Sequence, residues 1–144
     1  MKLKLTRSLA APPDRVFAAL TNPTILKQCL EDCEEMEKKG DDHYEVRLRV
    51  GIAGLKGTYT GKVRITDQDP PRSLTLSIEG KGAPGFIQGK ARIQLSPNGS
   101  GTELQSEGEV TVGGVIAAVG SRLIEAAARK MLTGFFERLA QAVE

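Results

Sequence analysis

The chain has 144 residues, with 20 Lys and Arg against 18 Asp and Glu, a formal net charge of +2, 40% apolar and 26% charged residues. That balance is ordinary globular usage, and it argues against disorder, a nucleic-acid footprint and a bilayer span, which needs about 20 uninterrupted apolar residues. One histidine, His43, and two cysteines, Cys29 and Cys33, exclude a His-rich metal site and a disulfide framework.

The length suits one domain over residues 1–144. The opening MKLKLTRSLA lacks the apolar stretch of a signal peptide, so the expected compartment is the cytoplasm. Residues 2–9 alternate, with Leu3, Leu5 and Leu9 on one side and lysines and hydroxyls on the other, which predicts a half-buried strand. Arg7 breaks the alternation on the apolar side. Pro12-Pro13 opens a short helix with Val16, Phe17 and Leu20 on its apolar face. Asn22-Pro23 repeats the device for a second short helix through Ile25, Leu26 and Cys29. Cys29 and Cys33 read as small, partly buried thiols, since a metal would need further ligands and none lie nearby in sequence.

Beyond residue 33 the period becomes two. A weak strand near Glu35–Lys38 is followed by runs starting at His43, Leu55, Leu74, Ile87 and Glu103, each with one wet face. Their connections are short and rich in turn residues, which implies an antiparallel meander. After Gly113-Gly114 the period turns helical, and an amphipathic helix of about 29 residues, ~43 Å long, is expected. On its polar side Glu125 and Arg129 stand in the favourable i,i+4 order. The fold class is therefore α+β: a helix-grip, in which a curved antiparallel sheet of about seven strands wraps a long C-terminal helix, with two short helices after strand 1.

The face turned toward the long helix carries Gly57, Gly61, Gly89, Ala91, Ser106 and Gly108. So many small residues leave two readings: the helix lies close to a sharply curved sheet, or a cavity exists that an apolar ligand fills. Alternate connections share an end. One end is polar; the other is glycine-rich and apolar and holds Ile52, Ala53, Pro84, Phe86, Val115 and Ile116, read as a portal flanked by Lys56 and Lys81. The bland alternative is that these loops fold inward and close the core. No catalytic set assembles, because His43 and the carboxylates fall on wet faces or in loops. Tyr44, Tyr59, Arg7 and Ser106 are the polar side chains expected on the inner face.

An ordered series of motifs runs nearly end to end: Ala11-Pro12-Pro13 with Val16-Phe17, Cys29 and Cys33, Gly54-Leu55-Lys56-Gly57, Gly61-Lys62-Val63, Pro70-Pro71-Arg72-Ser73-Leu74, Glu79-Gly80-Lys81-Gly82, Pro84-Gly85-Phe86, Gly89-Lys90-Ala91, Val112-Gly113-Gly114 and Gly120-Ser121-Arg122-Leu123-Ile124. In this series the chain resembles the CoxG family, the G-type subunits of carbon monoxide dehydrogenase, within the START/Bet v 1-like (SRPBCC) helix-grip superfamily. Where that family usually reads Cys-Ile-Pro-Gly-Cys, this chain has Leu30-Glu31-Asp32 between its cysteines. Many members also carry a membrane-seeking C-terminal tail; this sequence stops at Glu144, within its helix, so anchoring of that kind is not carried over.

The resemblance implies an accessory protein of a molybdenum-containing carbon monoxide dehydrogenase or related hydroxylase, linked to membrane recruitment and to a lipophilic quinone. The expected function is a non-enzymatic carrier of an isoprenoid quinone or lipid, with transient membrane-surface contact, no nucleic-acid partner and no metal. Its cavity is expected to be lined from the sheet by Leu48, Val50, Leu55, Tyr59, Leu76, Ile78, Ile87, Ala91, Ser106 and Val110, and from the helix by Val119, Leu123, Ala127 and Met131. At ~0.8 kcal/mol per buried CH2, roughly two or three isoprene units suffice for micromolar binding. Two other readings stand beside it: an assembly factor acting by protein contact with its cavity collapsed, and an enzyme of the polyketide cyclase type.

Overall fold

The computed structural model describes residues 1–30, 33–51 and 56–144. Strand β1 (Lys2–Leu9) leads into helices α1 (Pro13–Leu20) and α2 (Pro23–Cys29). Both helices start on proline, whose missing N–H costs nothing in a first turn. Asn22 caps α2, its Oδ1 accepting the Thr24 N–H at 2.9 Å. Strands β2 (Cys33–Gly40), β3 (His43–Val50), β4 (Gly57–Asp69), β5 (Ser73–Gly82), β6 (Gly85–Asn98) and β7 (Gly101–Gly113) follow as an antiparallel meander. β1 pairs with β7, giving one seven-stranded sheet of order β1-β7-β6-β5-β4-β3-β2.

The register aligns the inward residues. Leu48 lies opposite Tyr59, Val63 opposite Ile78, Leu76 opposite Ala91, Ile93 opposite Ser106, and Ser106 opposite Leu5. Two inner-face glycines are demanded by close approach of neighbouring strands. A Cβ on Gly61 would overlap the Glu79 carbonyl and come within 2.8 Å of the Gly80 Cα; one on Gly108 would lie 2.7 Å from the Lys90 carbonyl oxygen. At these two positions curvature, rather than a cavity, accounts for the missing side chain.

After β7 the chain departs from expectation. The continuous helix of about 29 residues is instead a 3-10 turn (Val115–Val119) followed by α3 (Ser121–Val143), of 23 residues. Between them Gly120 has φ +101°, outside the helical region and readily adopted only without a Cβ. α3 is then about 34 Å long at 1.5 Å per residue. Its C-terminal half packs on α1, α2 and β1. There Leu139, Ala140 and Val143 are buried with Val16, Leu20, Leu26 and Leu104. Three hydrogen bonds tie this end together. Arg138 Nε donates to the Cys29 carbonyl at 3.0 Å, the Ala10 N–H donates to Glu144 Oε2 at 2.9 Å, and Thr102 Oγ1 donates to the Ala11 carbonyl at 2.6 Å. The anticipated Glu125–Arg129 pair forms at 3.0 Å on the exposed face, where such pairs contribute little.

Because a methyl group at Gly61 has no room beside the β5 backbone, Gly61→Ala is expected to lower the urea unfolding midpoint, by a stability loss of about 2 kcal/mol or more. An unchanged midpoint would mean that β4 and β5 can separate freely at this point.

Candidate functional site

A cavity of about 200 Å³ lies between the sheet, the end of α2 and the stretch of α3 from Ile124 to Phe136. From the sheet it is lined by Leu48, Val50, Tyr59, Leu76, Ile78, Ile87, Ala91, Ser106 and Val110, with Leu3, Val63, Ile93 and Val112. From α3 it takes Ile124, Ala128, Met131, Leu132, Phe135 and Phe136, and from the end of α2 Leu26 and Leu30. Gly80, Gly89 and Gly108 supply bare backbone. Lys90 and Glu109 border it from strand positions whose neighbours point inward, so their own side chains are exposed on the wet face.

Three of the helical expectations require correction. Val119 belongs to the 3-10 turn, Leu123 is 58% exposed, and Ala127 is buried but does not face the cavity. Val119 falls before the break at Gly120, whereas Leu123 and Ala127 lie within α3, each one residue before a cavity residue, Ile124 and Ala128, so there the difference is one of rotation about the helix axis. Met131 is where it was expected. The α2 contribution was missed, although Leu26 and Leu30, four apart, carry the signal of one helix face. Leu55 lies outside the described residues, as do the portal residues Ile52 and Ala53.

Of the remaining portal residues, Val115 is 77% and Phe86 37% exposed, while Ile116 is only 4% exposed. The Ile116 N–H donates to the Pro84 carbonyl at 2.9 Å, which folds this residue inward over the β5–β6 turn. Phe86 lays its ring against Gly113. None of Pro84, Phe86, Val115 and Ile116 lines the cavity. The lining does reach Val50, Ile87 and Val112, the last inward residues of their strands at that end.

The electrostatics are those of a dry, neutral space. Burial raises the Tyr59 hydroxyl above its ordinary value, so it stays protonated at neutral pH. Ser106 is 1% exposed, and its Oγ makes no hydrogen bond among the described residues. Tyr44 is buried on the same face without reaching the cavity, its hydroxyl raised by burial and by Asp42 and Asp41. Arg7 is half-buried nearer the polar end, facing Leu104, and also stays off the lining. His43 opens β3 opposite Arg64, half-buried where full solvation was expected, and takes no part in the cavity. The wet side of the sheet has a cleft of about 540 Å³ whose walls mix charged side chains of both signs, among them Arg47 and Glu35 paired at 3.0 Å, with Val46, Phe86 and Ile87.

Kinship with known proteins agrees with this geometry. The profile of the family described as the G-type subunit of carbon monoxide dehydrogenase (CoxG) matches residues 6–144. The chain belongs to the CoxG family. That is a family of accessory subunits, and its name associates it with carbon monoxide dehydrogenase. Among curated proteins none matches. Among solved structures, the chain is similar to a conserved protein from Geobacillus kaustophilus, with 31% identity, a TM-score of 0.94, and 99% of this chain and 95% of that one covered. Protein CV1439 from Chromobacterium violaceum is 20% identical, with a TM-score of 0.71 and coverage of 99% and 96%. Ara h 8.0201 is 14% identical, with a TM-score of 0.67 and coverage of 99% and 97%. The last two establish the Bet v 1-like fold alone. Among the described residues no helix is long and apolar enough to cross a membrane.

Both cysteines are free thiols, and Glu31 and Asp32 between them lie outside the described residues. Burial pushes the Cys29 thiol up to about 11, opposed by the Arg138 charge. Cys33 is raised by burial as well, against Lys27 and its hydrogen bond to the Glu35 carbonyl. In the unfolded chain a thiol ionises near 9.0. The folded state therefore keeps the Cys29 contribution below pH 9 and loses it as pH climbs from about 9 to 11. Urea unfolding at about pH 8 to 10.5 should show a steeper decline for the wild type than for Cys29→Ala. Parallel curves would refute the shift.

Proposed function

We propose that this protein is a non-enzymatic carrier that holds a lipophilic molecule, an isoprenoid quinone or a lipid, between the sheet and α3. In this role it serves a molybdenum-containing carbon monoxide dehydrogenase-type enzyme from the cytoplasm. The observation that carries the reading is the cavity itself. Interiors are close-packed, and a void of about 200 Å³ lined by aliphatic and aromatic side chains gains nothing from water. An apolar guest restores the missing dispersion contacts and buries its own surface. Family membership supports an accessory role beside that enzyme.

Chemistry of the polyketide cyclase type finds less support. Its titrating group would have to be Tyr59, whose hydroxyl is held in the protonated form by burial. The carboxylates flanking the cavity lie on outward-facing strand positions.

Native mass spectrometry of gently purified protein, with organic extraction, should return a quinone or lipid bound one to one. Leu76→Trp places an indole in the cavity and is expected to abolish that co-purification while the protein stays folded; overpacking of this kind costs about 1–3 kcal/mol. A wild-type protein that is empty and ignores added quinone would instead favour the docking-factor role, in which Leu76→Trp remains active.

Release would use the apolar loop end, where Val115, Leu123 and Phe86 are exposed. Replacing Val115 and Leu123 with serine is expected to reduce co-sedimentation with phosphatidylglycerol vesicles severalfold while leaving ligand affinity in solution unchanged. Equal sedimentation of variant and wild type would remove membrane contact from the proposal.

A further inference from the structure

We propose that Ser106 is the polar anchor of the cavity, and that its hydroxyl selects ligands bearing a hydrogen-bond-accepting oxygen, held with that oxygen inward. This rests on the cavity being a binding site. Ser106 lines the cavity, is 1% exposed, and its Oγ has no hydrogen-bond partner among the described residues. In the sheet it faces Ile93 on β6 and Leu5 on β1, neither of which offers a side-chain acceptor. Buried hydroxyls are almost always bonded, so an orphan one calls for a partner from outside the chain. Alanine would fill the same small space without leaving an unmet donor.

The geometry narrows the partner. An unpartnered hydroxyl can give its proton to a carbonyl, ester or hydroxyl oxygen, which a hydrocarbon does not offer, and a cation would lose its hydration against the apolar lining around Ser106. The remainder of the lining is overwhelmingly aliphatic and aromatic, so the rest of the guest must be apolar. Ser106 lies seven residues before Gly113, roughly 23 Å along β7 from the apolar loop end at ~3.3 Å per residue. The oxygenated group is therefore deep, and any tail runs back toward the loops. Size agrees with a substituted or fused ring, since a cavity of ~150 Å³ takes benzene and this one is about 200 Å³.

The test uses two probes of one shape: 2,3-dimethyl-1,4-naphthoquinone, which has no free ring position for thiol addition, and 2,3-dimethylnaphthalene. Affinities would be measured by competition against an apolar fluorescent dye, on wild type and Ser106→Ala, with circular dichroism to check folding. Wild type should prefer the quinone by roughly three- to tenfold, the range of one neutral hydrogen bond. Ser106→Ala should lose that preference while keeping or improving its affinity for the hydrocarbon. The carbonyl stretch of the bound quinone should lie at lower frequency in wild type than in the variant. If both proteins bind both probes with the same preference and the same carbonyl frequency, the anchor is wrong and the carrier reading survives. If neither probe binds either protein, the carrier reading falls, and the anchor with it.

Discussion

α3 is packed most heavily toward its C-terminus. Its C-terminal half is clamped onto α1, α2 and β1 by Leu139, Ala140 and Val143 and by the Arg138 and Glu144 hydrogen bonds. The edge-to-face pair Phe135–Phe136, with ring centroids 5.2 Å apart, closes that packed region. From there toward its N-terminus the helix crosses the concave sheet presenting Leu132, Met131, Ala128 and Ile124. Ile124 and Ala127 are buried near the N-terminal end, yet between them and the C-terminal packing the helix stands off a sheet that curves away beneath it. The space left over is the cavity.

The sheet contributes the complementary half of the geometry. Gly61 and Gly108 let adjacent backbones approach where a side chain would separate them, and the strands bend there. In sequence alone, curvature and a cavity are alternatives. In the structure they meet at Gly108, which lines the cavity: the side chain left out so that β6 and β7 can approach is also missing from the wall, whereas Gly61 serves curvature alone. Gly80 and Gly89 then serve as floor, exposing backbone between the side chains of Tyr59, Ile78 and Val110.

Membership of the CoxG family and the Bet v 1-like fold place this geometry in a familiar architecture. What belongs to this chain is the chemistry of its lining. Tyr59 and Ser106 are the polar side chains that the inner strands bring to an otherwise apolar wall, and they sit at different depths along it. The exposed Val115 and Leu123 flank the break at Gly120, so the least packed apolar residues adjoin the place where the backbone departs from a helix. Ile116, between them in sequence, is pinned to Pro84 and keeps this segment against the sheet.

Strand alternation was legible residue by residue. A period of two leaves each side chain only two faces to choose from, so the described strand residues facing inward, Leu48, Val50, Tyr59, Leu76, Ile78, Ile87, Ala91, Ser106 and Val110, follow from parity and the turn residues alone. The short helices were legible for a similar reason: Pro13, Asn22 and Pro23 act within one turn of where they stand. The long helix was not. Whether Gly120 is helical depends on how Val115–Val119 packs over the β5–β6 turn, a contact between residues some thirty positions apart. The rotation of α3 about its axis, which buries Ile124 and exposes Leu123, depends in turn on where its distant C-terminal half is clamped. Local pattern therefore specified the elements, their order and the dry face of the sheet. Packing between elements decided where the helix breaks, which of its faces turns inward and how much space remains beneath it, because those are set by the fit of surfaces that no stretch of the chain contains alone.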